Sequence, residues 1–147
     1  MEHKIKAYGI CLYKEDNSQI KVLLCKSVKS QQKWGFLKGV KEELESKEQT
    51  AIREFFEECG IKVEYKHLEN YFEQINDQKD IGIFLVNYKY IKKIDHLFIN
   101  EKLLDHFLCW ENSQVKFFDI QELPDIKKKQ KDIVQDIIQH FMEKTNL

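Results

Sequence analysis

The sequence predicts an α/β fold in which a mixed sheet is flanked by helices, and three observations lead there. Short apolar runs of strand type are interleaved with helical patterns, without the regular alternation of a parallel βαβ protein. Two segments, one in mid-chain and one near the C-terminal end, set apolar residues at helical spacing along one side only. The chain has 147 residues, 42% hydrophobic and 33% charged, which fits one core-forming domain over 1–147 with a well-solvated surface.

Taken in order, Ile5 to Tyr13 reads as a strand, Lys14 to Ser18 as a polar turn and Ile20 to Cys25 as a second strand, together a hairpin. Trp34 to Leu37 reads as a short third strand entering a turn at Gly39. Ser46 opens a helix that runs to Cys59. Ser46 and Gln49 have capping-box spacing, in which each side chain satisfies an orphan amide of the first turn. Ile52, Phe55, Phe56 and Cys59 fall at i, i+3, i+4 and i+7, one stripe expected to face the core. Gly60 follows, a residue that takes the left-handed conformation at low cost and so ends helices. Ile61 to Val63 and Leu68 to Phe72 are expected strand pieces, and Ile81 to Tyr90 a stronger strand. Leu103, Leu104, Phe107 and Leu108 cluster on one side of a short helix expected from Asn100 to Leu108. Val115 to Ile120 reads as the last strand. Ile133, Val134, Ile137, Ile138, Phe141 and Met142 mark a closing amphipathic helix, with Lys127 to Lys129 its solvated start.

Composition narrows the functional classes. Lys plus Arg number 24 against 25 Asp plus Glu, so no strong nucleic-acid or membrane-surface binding is expected, and an anionic ligand must be held by local groups. No apolar run approaches the ~20 residues of a membrane span. The charged start, Met1 to Lys6, has no signal core behind it, so a cytoplasmic protein is expected. Cys11, Cys25, Cys59 and Cys109 lie far apart without paired-ligand spacing, which favours reduced, mostly buried thiols over disulfides or zinc. Arg53 is the only arginine; every other cationic side chain of that kind is lysine.

Residues 39–61 read GVKEELESKEQTAIREFFEECGI. Glu54, Glu57 and Glu58 stand at i, i+3 and i+4, so their carboxylates crowd one side of a helix, at a cost of roughly 0.2–0.5 kcal/mol per like-charged pair. Glu57 and Glu58 also occupy the last turn, where the negative end of the helix dipole disfavours anions. A hard cation resolves this conflict: Mg²⁺ prefers carboxylate oxygens, keeps several waters and bridges to phosphates. A bare E-x-x-E-E is more often an ordinary solvated face. Arg53, Glu45 and two glycines at fixed distances set this one apart.

The segment resembles the Nudix box, G-x5-E-x7-R-E-U-x-E-E-x-G-U with U a bulky apolar residue. Gly39, Glu45, Arg53, Glu54, Phe55, Glu57, Glu58, Gly60 and Ile61 fill every specified position. The resemblance implies an α/β/α sandwich and hydrolysis of a pyrophosphate bond in a nucleoside diphosphate linked to another moiety. The cofactor implied is Mg²⁺, with Mn²⁺ as a substitute. It also implies that Glu57 and Glu58 are the main metal ligands, that Glu54 binds metal or orients the attacking water, and that the Lys38 carbonyl joins the metal shell. Arg53 and Glu45 become supporting residues, which fits an arginine whose planar fork lysine cannot copy. A further acid late in the chain commonly completes such sites. Glu111 is the choice here, with Gln114 nearest the usual place and Glu73 also eligible.

The substrate is less constrained. At the position where some Nudix groups carry a proline or tyrosine marker, this chain has Asp77-Gln78. Trp34-Gly35-Phe36-Leu37-Lys38-Gly39 is similar to the W-G-F-P-K-G of decapping enzymes and to related strings in diadenosine tetraphosphate hydrolases, with Leu37 in place of proline. Lys38 and Trp34 are thereby candidate substrate contacts, a solvated lysine being the alternative for the first. Lys92 to Ser113 looks like an insertion, whose Phe98, Phe107 and Trp110 either stack on a base or pack the insertion onto the domain. A small nucleotide such as a dinucleoside polyphosphate is the expected partner. An RNA 5′ end, ADP-ribose or a nucleotide sugar, and a catalytically silent ligand sensor are the alternatives. The oligomeric state, monomer or homodimer, stays open.

Overall fold

A computed structural model describes residues 4–29 and 32–145, so the first three residues of the charged start, Met1 to His3, lie outside the described residues. Strands β1 (Ile5–Asp16) and β2 (Gln19–Ser27) form the expected antiparallel hairpin. They run further than expected because Asn17 (φ 51°) and Ser18 (φ 70°) alone make the reversal. Two successive left-handed residues give a turn whose twist matches that of the strands. Lys14 to Asp16 are therefore strand.

Two short strands, β3 (Trp34–Gly35) and β4 (Leu37–Val40), come next, and β5 (Tyr71–Gln74) and β6 (Lys79–Asn87) follow later in the chain. β6 lies parallel to β1 along one edge, from Ile5 to Tyr13. The opposite edge of β1 is shared: β4 pairs with Ala7 to Ile10 and β2 with Tyr13 to Asp16. The hairpin thus splays open, and β3 and β4 fill the wedge, β3 pairing with β2 at Cys25 and Lys26. Strands β7 (Phe98–Ile99), β8 (Lys102–Leu103) and β9 (Asn112–Asp119) extend the far side, giving the order β5-β6-β1-β2-β9-β8-β7.

Helix α1 (Lys47–Cys59) covers one face and α2 (Lys131–Thr145) the other. Alternation along β1 divides the core between them. Tyr8, Ile10 and Leu12 join Phe55 and Cys59 of α1, while Cys11 and Tyr13 join Ile133, Val134, Ile137 and Phe141 of α2. The molecule is the expected α/β/α sandwich with a mixed sheet. Cys11, Cys25 and Cys59 are buried free thiols, and Cys109 is half-buried and free. No helix among the described residues is long and apolar enough to cross a membrane.

Several local expectations are corrected. Gly39 lies inside β4, paired with Tyr8, and makes no turn. Phe56 is 53% exposed, and Thr50, Ala51, Phe55, Glu58 and Cys59 are the buried residues of α1, a rotation that brings a glutamate inward. Ile61 and Val63 are buried but lie in extended chain without strand partners, and the next strand begins at Tyr71. β6 gives way to a 3-10 turn at Tyr88–Tyr90. No α-helix spans 100–108: β7 and β8 form a tight hairpin there, followed by a single 3-10 turn at Asp105–Phe107. Asn100 (φ 52°) and Glu101 (φ 69°) make the reversal. The Glu101 carboxylate holds it onto the first hairpin through Lys14 at 2.7 Å and Lys21 at 3.2 Å.

Candidate active site

Both ends of α1 are fixed by local chemistry. The Gln49 amide donates to Ser46 Oγ at 3.0 Å, and the Ser46 amide donates to Gln49 Oε1 at 2.8 Å, so the capping box forms as read. Gly60 (φ 76°) closes the helix, its N–H donating to the Phe56 carbonyl at 2.8 Å. No basic residue lies in the last turn to answer the helix dipole.

Arg53 organises the acidic residues around this helix. Its fork is bidentate on Glu45, Nε to Oε2 at 2.7 Å and Nη2 to Oε1 at 2.9 Å. Nη1 donates to Glu54 Oε1 at 2.8 Å and reaches Glu57 Oε2 at 3.3 Å, while Nη2 donates to the Val40 carbonyl at 3.2 Å. One cation thereby ties β4, the loop before α1 and two turns of α1 together. Glu45 also accepts from the Glu42 amide and the Thr50 hydroxyl, each at 3.0 Å. The Arg53 hydrogen bonds, against a smaller opposing effect of burial, hold the Glu45 carboxyl down to about 2.

Gly39 explains how β4 and α1 come so close. A Cβ built there would lie 1.9 Å from Glu54 Cδ, so the Glu54 carboxylate rests directly on the glycine backbone. Burial raises the pKa of Glu54 despite the pull of Arg53.

Glu58 is the unusual member. It is 9% exposed, and its Oε1 accepts from Asn112 Nδ2 at 3.2 Å. Its Oε2 is buried with no hydrogen-bond partner among the described residues. Desolvation pushes this carboxyl up to about 8, partly countered by Asn112. A buried carboxylate oxygen without a partner is costly unless something charged answers it. Glu57, in contrast, extends into solvent, its side chain 54% exposed.

The three glutamates share one end of α1, but among the described residues no three acidic, histidine or cysteine side chains are gathered at metal-holding distance. Glu54 is turned onto Arg53, Glu57 outward and Glu58 inward. Lys38, next to Gly39 in β4, is half-buried, and burial, with repulsion from Lys79 and Lys127, pushes its ammonium down to about 8. Glu111 is exposed, on the side where its charge bears on both Glu54 and Glu58. Glu73 is engaged elsewhere, accepting from the Tyr71 hydroxyl at 2.7 Å, and Gln114 pairs with Lys26 in the β2–β9 ladder. Trp34 is buried on the α2 side of the sheet, edge-on to Phe118 at 4.7 Å, so this expected substrate contact is a core residue. Its ring serves packing, which removes the face a base would need.

Sequence reasoning missed Asn112, which holds Glu58, and Thr50, which steadies Glu45. Asn112 follows Glu111, the late acid the sequence points to, and holds Glu58 from the same stretch of chain. Thr50 lies one turn before Glu54 on α1, and no spacing marks it.

The NUDIX domain family model matches residues 3–139. The chain belongs to the Nudix hydrolase family. By class it is a pyrophosphohydrolase. Among solved structures, a NUDIX hydrolase from Nitrosomonas europaea is similar at 24% identity and TM-score 0.65, over 99% of this chain and 74% of that one. An Ap4A hydrolase from C. elegans is similar at 17% identity and TM-score 0.59, over 99% of this chain and 100% of the other. The NUDIX domain of Shewanella oneidensis NrtR, in complex with ADP ribose, is similar at 17% identity and TM-score 0.62, over 92% and 88%. At these identities the likeness is one of fold. No curated protein matches the sequence significantly.

Proposed function

We propose that this chain is a Mg²⁺-dependent hydrolase of a nucleoside diphosphate linked to a second moiety, and that a dinucleoside polyphosphate is its substrate. The observation that carries the reaction is the buried, unanswered Oε2 of Glu58, on the same end of α1 as Glu54 and Glu57, where the helix dipole already disfavours anions. A divalent cation fits this donor set, since carboxylate oxygens are what hard cations prefer. Glu57 and Glu58, with Glu54 and the Lys38 carbonyl, would hold it, and Glu111, whose charge bears on Glu54 and Glu58, would add a further carboxylate. When bound, such an ion neutralises charge on the phosphate under attack and on the leaving oxygen. Arg53 and Glu45 keep Glu54 and Glu57 in place, and Asn112 keeps Glu58 turned inward. The Lys38 side chain supplies positive charge for a phosphate.

The substrate reading draws on the surface beyond α1. A groove of about 780 Å³ opens past Gly60, its lining mixing Lys62, Lys66, Lys92 and Lys93 with Glu64 and Glu69, of which Glu64 pairs with Lys66 at 3.6 Å. None of Glu54, Glu57 and Glu58 lines it. It gives a long phosphate chain or a second nucleoside a place to lie after the first phosphates have reached α1. The overall charge of −1 supplies no broad basic face for an RNA. The C. elegans Ap4A hydrolase with the same fold is consistent with this choice. The test is kcat/KM at physiological salt for diadenosine tetraphosphate, ADP-ribose and a 5′-triphosphorylated RNA. We expect diadenosine tetraphosphate to lead by about tenfold or more, or about 1.4 kcal/mol. A lead of that size for either competitor overturns the choice, and ligand binding without turnover of any of them means a sensor instead.

A further inference from the structure

The groove beyond Gly60 has room for a second nucleoside, but no side chain described so far stacks on the nucleobase nearer α1. Three aromatic side chains of the segment between β6 and β9, Tyr88, Phe98 and Phe107, pack against the core under α1. Trp110 does not. Its side chain is 81% exposed and has no ring or hydrogen-bond partner among the described residues. Leaving an indole in water forgoes the burial gain of a large apolar side chain, and Trp110 is the most exposed aromatic residue among those described.

The loop that carries Trp110 is tied down on both sides. The Asn112 amide donates to the Cys109 carbonyl at 3.1 Å, the Val28 amide to the Glu111 carbonyl at 2.9 Å, and Ser113 Oγ to the Lys26 carbonyl at 3.0 Å. Asn112 in turn holds Glu58 at 3.2 Å. Trp110 therefore stands two residues, at most roughly 7 Å of chain, from the side chain that fixes the buried carboxylate. Its neighbour Glu111 faces Glu54 and Glu58 closely enough to bear on their charges.

We propose that Trp110 is the base-stacking residue of the substrate site, its indole lying against the nucleobase of a nucleotide whose phosphates reach the α1 carboxylates. This rests on the reaction proposed above and assigns the part of the substrate that the carboxylates do not hold. An indole face reads no hydrogen-bond pattern, so it accepts any base and selects for nucleotides over sugar phosphates. The contact holds ground state and transition state alike, so its loss appears in KM and not in kcat.

Trp34 and Trp110 are the only tryptophans, and Trp34 is buried, so ligand-dependent quenching reports on Trp110. The full chain is titrated with AMP and, separately, with ribose 5-phosphate, and the kinetics of Trp110→Ala and Trp110→Phe are measured on diadenosine tetraphosphate. AMP quenches the wild-type emission, ribose 5-phosphate does not, and the Trp110→Phe chain shows no AMP response. Trp110→Ala raises KM roughly fivefold to a hundredfold while kcat falls by less than about twofold, and Trp110→Phe recovers most of the loss. Equal quenching by both ligands, quenching by neither, or a Trp110→Ala KM within about twofold of wild type overturns the proposal. AMP quenching in a chain that hydrolyses nothing defeats the proposed reaction and leaves the stacking residue standing. Hydrolysis by Trp110→Ala at wild-type KM does the reverse.

Discussion

At Glu58 an ionisable group sits on the buried side of α1 with one oxygen unanswered, and this has a consequence for stability that requires no assay of turnover. Its pKa rises from the ordinary 4.5 to about 8 in the fold, so the folded chain holds the proton more tightly than the unfolded one. Stability contributed by this group is therefore full below about 4.5 and falls as pH climbs toward 8. In chelator at pH 7.5, Glu58→Gln should melt higher than wild type, by roughly 1–3 kcal/mol, and the gap should close near pH 5. Adding Mg²⁺ should raise the wild-type Tm and leave the variant nearly still. A variant that melts lower than wild type at both pH values would contradict this account of Glu58. Glu45 has the opposite sign: Arg53 holds it at about 2, so its stabilising contribution is present above 4.5 and is lost as pH falls toward 2. Arg53→Lys keeps the charge but loses the fork that bridges Glu45 and Glu54. We expect kcat to fall about tenfold or more with a stability loss of about 1 kcal/mol, measured by steady-state kinetics and thermal melts. Gly39→Ala forces its Cβ onto Glu54 and should lower kcat while the fold persists, as circular dichroism can check.

At the scale of elements, α1 was readable because its signals are local. Ser46 and Gln49 cap it, Gly60 ends it, and Arg53, Glu54, Glu57 and Glu58 keep fixed rotations between those ends. Ser46→Ala should cost about 1 kcal/mol of stability with little change in kcat, a contrast that melts and kinetics on one preparation can resolve. The box positions were equally legible, because their spacing is written within one helix and the strand before it. What could not be read depends on partners distant in sequence. Leu103, Leu104, Phe107 and Leu108 fit a helical pattern, yet the segment is a hairpin because Glu101 is anchored by Lys14 and Lys21 on the first hairpin. The position of Phe56 failed for a related reason: which residues of α1 face the core is set by its packing on β1 and β4, and Glu58 is held inward by Asn112 from β9. Asn112→Leu should then leave Glu58 without its one hydrogen bond, weakening Mg²⁺ activation more than it weakens the fold, as a Mg²⁺ titration of activity beside a thermal melt can show.

On the scale of the whole molecule, the sandwich brings three separate pieces of chain to one end of α1. The splayed first hairpin admits β4, which delivers Lys38 and Gly39 to the helix. The chain leading into β9 delivers Trp110, Glu111 and Asn112, and the segment after β6 supplies Lys92 and Lys93 to the groove beyond Gly60. A net charge of −1 gives no global positive field, and the groove sets four lysines, Lys62, Lys66, Lys92 and Lys93, beside two glutamates, Glu64 and Glu69. The central claim is that the α1 carboxylates, with Glu58 foremost, make phosphoanhydride hydrolysis depend on a divalent cation. The direct measurement is the rate of diadenosine tetraphosphate hydrolysis by wild type and Glu58→Gln, each in saturating Mg²⁺ and in chelator. The account predicts Mg²⁺-dependent turnover in wild type and a loss of about a hundredfold or more in the folded variant, some 2.7 kcal/mol of barrier. Turnover that survives chelation, or a variant with near wild-type kcat at saturating Mg²⁺, would contradict it.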